Sequence, residues 1–249
     1  MLMKSWSIIF TLAVGMTGQR ILADTLITGT FGSPVTPAVT YGYAFVFDQN
    51  VLVSAVGIYD SSGNGLTGTN TLGIWTGDGN LISSNVFDST TSPTLTDHFR
   101  WLPLDAPFVL SANTPYWIGT FGPEQGLQGA IGTGTLSPDL TFIAQVGSSS
   151  GSFTFPNSFT NRSSGMAYIG PNLQYTKIPV LQVTMNNSTT QLLFSWPTNA
   201  PGYILESASI LPSANWDTVT NMPAVVSNQF VVEVGATNSQ GFYRLQFQQ

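Results

Sequence analysis

Across 249 residues the chain carries 25 glycines, 15 prolines and no cysteine; only 7% of it is charged, and its formal net charge at pH 7 is −6. Without cysteine there are no disulfides and no thiolate metal sites, so buried apolar area must hold the fold, which a chain of this length can supply. Beyond the first residues the cations are Arg100, Arg162, Lys177 and Arg244; they are too scattered to form a phosphate-binding stripe, and nucleic acid is not an expected partner.

The chain opens with the order of an export signal: Lys4, an apolar run from Trp6 to Met16 too short to span a bilayer, and a small residue at the end of Ile21-Leu22-Ala23. Cleavage near Ala23 is expected, giving a secreted or cell-surface protein that is more acidic because Lys4 and Arg20 leave with residues 1–23. The terminal Phe-Tyr-Arg-Leu-Gln-Phe-Gln-Gln offers no apolar anchor, so no transmembrane segment is expected in the mature chain.

From there, glycine, proline and small polar residues cut the sequence into short β-rich runs, and no window holds an apolar period of helical length. An all-β protein is expected. Strands are predicted at Tyr41 to Phe47, Leu52 to Tyr59, Thr71 to Trp75, Phe99 to Leu104, Pro115 to Phe121, Leu140 to Val146 and Ala167 to Ile169. Turn clusters separate them by about ten residues, the spacing of a sandwich or jelly roll. Gly57-Ile58-Tyr59-Asp60 and Gly73-Ile74-Trp75 lead into similar glycine-rich turns, which predicts neighbouring strands with equivalent turns.

Near Lys177-Ile178-Pro179 the texture changes. Strands are predicted at Val180 to Met185, Gln191 to Trp196, Tyr203 to Ser207, Phe230 to Val234 and Phe242 to Phe247, with Leu192, Phe194 and Trp196 alternating onto one face. The expected organisation is a jelly-roll-like β-sandwich over residues 24–176 and a small fibronectin-III or immunoglobulin-like β-sandwich over 177–249.

Between the second and third strands lies Ile-Tyr-Asp-Ser-Ser-Gly-Asn-Gly-Leu-Thr-Gly. Asp60, Ser62 and Asn64 alternate there as in the first half of a calcium loop, but the twelfth position falls on Thr71, where an EF-hand has a bidentate Glu. Calcium usually takes six to eight oxygens, so further ligands would come from carbonyls, waters or the nearby loop carrying Asp78. Calcium is the one candidate cofactor, with Asp60, Ser62, Asn64 and Asp78 as its ligands. The competing reading is a strand-connecting turn in which Asp and Asn cap backbone N–H groups and glycine supplies positive φ.

Enzymatic signals are weak. Gly147-Ser148-Ser149-Ser150-Gly151 has the spacing of a nucleophile elbow, yet β-like sequence follows it and the sole histidine, His98, precedes it. Asp97 and Glu124 are the conceivable carboxylates of a glycoside hydrolase, which needs two acids across one sugar. Aromatics say more. Trp75, Trp101, Tyr116 and Trp117 are candidates for stacking on sugar rings, with core packing as the alternative.

The runs Leu72-Gly73-Ile74-Trp75, Phe99-Arg100-Trp101-Leu102-Pro103-Leu104, Phe108 to Gly119 and Gly170-Pro171-Asn172-Leu173-Gln174-Tyr175 together resemble an uncharacterised β-sandwich module of exported bacterial proteins, including those with PEP-CTERM sorting signals. Members of that family often have a more acidic loop where this chain has Ser62 and Asn64. Phe194-Ser195-Trp196-Pro197, Gly202 to Ser207, Trp216-Asp217-Thr218-Val219 and Gly241 to Leu245 resemble a fibronectin-type-III-like C-terminal module, a kind that spaces or attaches a partner domain. Neither resemblance implies an enzyme. The expected function is non-catalytic binding of a polysaccharide or cell-surface polymer; the alternatives are a structural surface component and, behind it, a glycoside hydrolase.

Overall fold

Alternating apolar and polar residues between glycine-rich turns make every regular element among the described residues a strand. The computed structural model describes residues 23–29, 39–60, 63–66, 68–88, 90–91, 93–122, 135–160, 170–186, 190–200, 202–212, 215–236 and 241–247. The expected export signal and the predicted strand Ala167 to Ile169 lie outside the described residues, the signal apart from Ala23 at its end. Contacts divide the chain into two units, with the break between Lys177 and Ile178.

The first unit holds β1 (Asp24–Thr25), β2 (Ile27–Thr28), β3 (Tyr41–Phe47), β4 (Val51–Tyr59), β5 (Asn70–Thr76), β6 (Leu81–Phe87) and β7 (Thr94–Thr96). It continues with β8 (Phe99–Leu110), β9 (Pro115–Phe121), β10 (Thr135–Leu136), β11 (Leu140–Gly147), β12 (Ser158–Thr160) and β13 (Pro171–Lys177). One sheet runs β1-β13-β4-β8-β7 and the other β12-β11-β3-β9-β5-β6, while β10 pairs with β2. Numbering β1, β3, β4, β5, β6, β8, β9 and β13 from one to eight turns these orders into 1-8-3-6 and 2-7-4-5, those of a jelly roll, with β11 added beside β3.

Both sheets feed one apolar core. Phe45, Phe47, Ile74 and Ile118 come from one side and Val53, Val56, Ile58 and Leu173 from the other, all with no exposed surface. Phe47 meets Tyr175 edge-on with ring centres 4.8 Å apart, and the Tyr43 hydroxyl donates to the Pro171 carbonyl at 2.9 Å. The buried Asn172 anchors the start of the unit: its side-chain oxygen accepts the Leu26 and Ile27 N–H groups, and its amide donates to the Ile27 carbonyl at 2.7 Å. Lys177 pairs with Asp139 at 2.6 Å.

Two sequence expectations need correction. Gly57 to Tyr59 and Gly73 to Trp75 are not neighbours, since β4 and β5 belong to different sheets and the loop between them crosses from one to the other. Strand β8 runs to Leu110 rather than Leu104, because an irregularity opposite Ser54 absorbs Pro107 between the Ala55–Pro103 and Val53–Phe108 pairs.

The second unit comprises β14 (Gln182–Asn186), β15 (Gln191–Pro197), β16 (Tyr203–Ala208), β17 (Asp217–Thr218), β18 (Ala224–Val226), β19 (Gln229–Gly235) and β20 (Phe242–Phe247). Its sheets are β14-β15-β19-β18 and β17-β16-β20. Leu192, Phe194 and Trp196 face their common core, with Leu205, Val232 and Leu245. Arg244 and Glu206 are directly opposed across β16 and β20 and form an ion pair at 2.7 Å, with the guanidinium over the Trp216 ring at 4.3 Å. Among the described residues no helix is long and apolar enough to cross a membrane.

Candidate functional site

The loop after β4 is organised around a single carboxylate. Asp60, only 4% exposed, accepts the Gly63 N–H at 2.8 Å on one oxygen, and the Gly65 N–H at 2.9 Å and Arg100 Nε at 2.8 Å on the other. Arg100 Nη2 also donates to the Gly63 carbonyl at 2.8 Å. Gly63 and Gly65 sit at φ 71° and 113°, a region glycine enters without strain, so the chain can curl its amides back onto Asp60. Burial pushes the Asp60 carboxyl up, but the Arg100, Gly65 and Gly63 hydrogen bonds and the Arg100 charge outweigh it and hold it below the usual range.

This arrangement revises the calcium expectation. A carboxylate and a carbonyl, the oxygens a calcium ion would draw on, already hold the guanidinium of Arg100, which acts as an internal cation. Asp78 belongs to the β5–β6 turn, attached to the other sheet, where it accepts from the Thr76 hydroxyl and from Asn80 Nδ2. Asn64 is exposed in the first loop, and Ser62 lies outside the described residues. Among the described residues no group of three or more His, Asp or Glu side chains could hold a metal.

The proposed stacking aromatics are also corrected. Trp75, Trp101, Tyr116 and Trp117 are 3%, 5%, 5% and 8% exposed, so none of them offers a ring to a sugar. Glycines explain why: a Cβ at Gly57 would lie 2.6 Å from the Trp101 ring, and one at Gly73 would lie 2.3 Å from Trp75, so each indole rests on bare backbone. Trp75 and Trp117 are then roofed by Phe153 and Phe155, which lie 5.3 Å from Trp75 and 5.8 Å from Trp117 respectively. Thr40 secures that roof, its hydroxyl accepting the Thr154 N–H at 3.0 Å. The Trp117 indole N–H finds no acceptor among the described residues, so the roof supplies apolar burial alone. Phe155→Ala is expected to cost about 2 kcal/mol and to red-shift tryptophan emission as the indoles meet water; unshifted emission would show that Phe155 is not their cover.

A different place has the character of a site. Where the β4–β5 and β6–β7 connections meet, Leu66, Phe87, Asp88, Thr91, Pro93 and Arg100 line a cleft of about 180 Å3. Arg100 has five N–H groups, of which Asp60 and Gly63 take one each, leaving three with no acceptor among the described residues. One Asp88 oxygen accepts the Thr90 hydroxyl at 2.6 Å and the Thr90 and Thr91 N–H groups at 2.8 and 3.3 Å. Its other oxygen takes no hydrogen bond among the described residues. The Thr90 hydroxyl and amide, with the Thr91 amide, hold the Asp88 carboxyl below its usual range. The cleft thus sets donors and an acceptor against the apolar surfaces of Leu66, Phe87 and Pro93.

Sequence reasoning missed these residues. Arg100 appeared only as a scattered cation; the available signal was a charged residue between the apolar Phe99 and Trp101 of a predicted strand. The other enzymatic candidates do not assemble. His98 occupies the β7–β8 turn at φ 63° beside Tyr59, Asp97 precedes it at φ 50°, and Ser149 follows β11 in the connection to β12. Glu124 lies outside the described residues.

The sheet orders and the two-sided core define the first unit as an antiparallel jelly-roll sandwich with one polar-apolar cleft described at its loops. Residues 28–168 match the family model described as domain of unknown function DUF4082, and the chain belongs to that family. A comparison with curated proteins finds no match.

Proposed function

We propose that this is an exported, non-catalytic binding module for a glycan or another cell-envelope polymer, of the kind found in PEP-CTERM-type proteins. The first unit binds, and the second is a fibronectin-III-like spacer or attachment unit. The observation that carries the reading is the cleft, whose mixture of arginine, carboxylate and apolar surface suits a hydroxylated ligand. The spacer reading draws support from the sheet order β14-β15-β19-β18, which follows the pattern of the four-stranded sheet in immunoglobulin-type sandwiches. The non-catalytic reading draws support from acids already engaged in ion pairs, Asp60 with Arg100, Asp139 with Lys177 and Glu206 with Arg244.

A structural surface component is the second reading, favoured by Met222, Val225 and Val226, which are 88%, 66% and 54% exposed on and beside the edge strand β18. One experiment separates the two. Residues 24–249 are mixed with a panel of insoluble polysaccharides and the protein left in solution is measured. Saturable, selective depletion, unchanged by EDTA, is the expected result. Absence of depletion on every polymer, with concentration-dependent self-association in sedimentation, would move the assignment to the structural reading.

A further inference from the structure

Resting on the binding-module reading, we infer that the cleft takes a single uncharged sugar unit, recognised through its hydroxyls, and discriminates against acidic sugars. Size sets the first limit. At about 180 Å3 the cleft is smaller than the roughly 300 Å3 at which pockets for drug-sized ligands begin, so it holds one ring and not a run of them.

Charge sets the second. Arg100 is already matched by the buried Asp60, and Asp88 adds a further carboxylate, so the three side chains sum to one negative charge. A uronate, sulfate or phosphate entering beside Arg100 would meet Asp88 as a like charge. A hydroxyl does not, because it both donates and accepts. Its oxygen can accept a hydrogen bond from one of the three Arg100 N–H groups that have no acceptor among the described residues, while a neighbouring hydroxyl donates to the second oxygen of Asp88. Leu66 and Pro93 supply the apolar surface that the C–H face of a pyranose covers, and the buried Phe87 closes the cleft behind them.

The loops are pre-formed for this role. Arg100 is fixed at two of its nitrogens, and Asp88 is tied by Thr90 and Thr91, so neither has to be ordered when the ligand arrives. With one ring and few contacts, binding belongs in the millimolar range for a free monosaccharide. Useful affinity for a polymer then requires many ends or many copies of the protein.

The test is titration of neutral hexoses, N-acetylhexosamines and hexuronates, each to tens of millimolar, into isotope-labelled residues 24–249, followed by amide chemical shifts. Saturable shifts of Gly65, Leu66, Thr91 and Arg100 with at least one neutral sugar, and none with hexuronates, are expected. Asp88→Asn keeps the oxygen that accepts from Thr90 and replaces the free acceptor with a donor. It should weaken the neutral sugar about tenfold and admit hexuronate at Arg100, with cooperative unfolding retained and only a small fall in melting temperature, because Asp88 is at the surface. The inference is overturned by silence of the cleft with every sugar, by a preference for hexuronate in the unmodified protein, or by unaltered binding in Asp88→Asn. If polymer depletion persists with full strength in Asp88→Asn, the polymer is held elsewhere, and the cleft assignment fails while the binding-module reading stands.

Discussion

Replacing Arg100 with methionine is expected to destabilise the first unit by about 3 to 5 kcal/mol, because it leaves the Asp60 carboxylate buried without its counter-ion. For a unit of this size that corresponds to a fall of roughly 10 °C in melting temperature. Asp60 cannot escape by moving into water, since its oxygens also terminate the Gly63 and Gly65 amides and the whole turn would have to open. Combining Arg100→Met with Asp60→Leu should recover part of the loss, as removing both charges spares the penalty of one left unpaired. A single variant as stable as the parent would show that Asp60 is reached by water after all. Millimolar calcium should leave the melting temperature of the parent protein unchanged.

The same pair fixes a pH dependence. The Asp60 carboxyl titrates below its ordinary value of about 3.9 in the folded state, so the folded form binds the proton less readily than the unfolded chain. Its contribution to stability is complete above that ordinary value and is lost as the pH falls through the lower folded one. Acid unfolding should therefore steepen below about pH 4, and Asp60→Asn, though less stable at neutral pH, should lose that portion of the acid sensitivity.

Gly42→Ala is expected to have the larger effect still. Gly42 lies in β3 opposite Gly119 of β9 and Val146 of β11, where a Cβ would fall 1.8 Å from the Ile118 carbonyl oxygen and 2.7 Å from the Gly119 Cα. Both atoms are backbone in a central pair of strands, so no rotamer change relieves the clash. The sheet would have to part between β3 and β9, at a cost above about 4 kcal/mol. The expected outcome is insoluble expression or loss of the cooperative unfolding transition; a soluble protein with the parental midpoint would contradict it.

How much of this was legible in the sequence depends on the distance over which each feature is decided. Strands β3, β9 and β20 could be bounded to the residue because alternation and punctuation are local. Strand β6 was not predicted: Leu81, Ile82 and Val86 are exposed on an edge, so its apolar residues do not trace one buried face. Alternation correctly divides Tyr116 from Trp117, but it cannot tell that a segment more than thirty residues further along covers the second face as well. The Asp60–Arg100 pair spans forty residues and two strands of one sheet, and nothing near Asp60 announces it. Periodicity therefore delivered the sandwich and missed the cleft, which is made of residues brought together only by the crossing of the β4–β5 connection.

The placement of β1 beside β13 carries a mechanical consequence. Asp24 is opposite Tyr175, so the chain enters β1 and leaves β13 at the same end of an antiparallel pair. Tension applied between these two points pulls the strands apart one hydrogen bond at a time, as in opening a zipper, instead of loading a whole ladder in shear. The first resistance after those two residues is the grip of Asn172 on Leu26 and Ile27. A protein tethered on one side and loaded on the other would therefore yield first at its own entrance, where β1 peels from the edge of its sheet while β13, β4 and β8 stay paired.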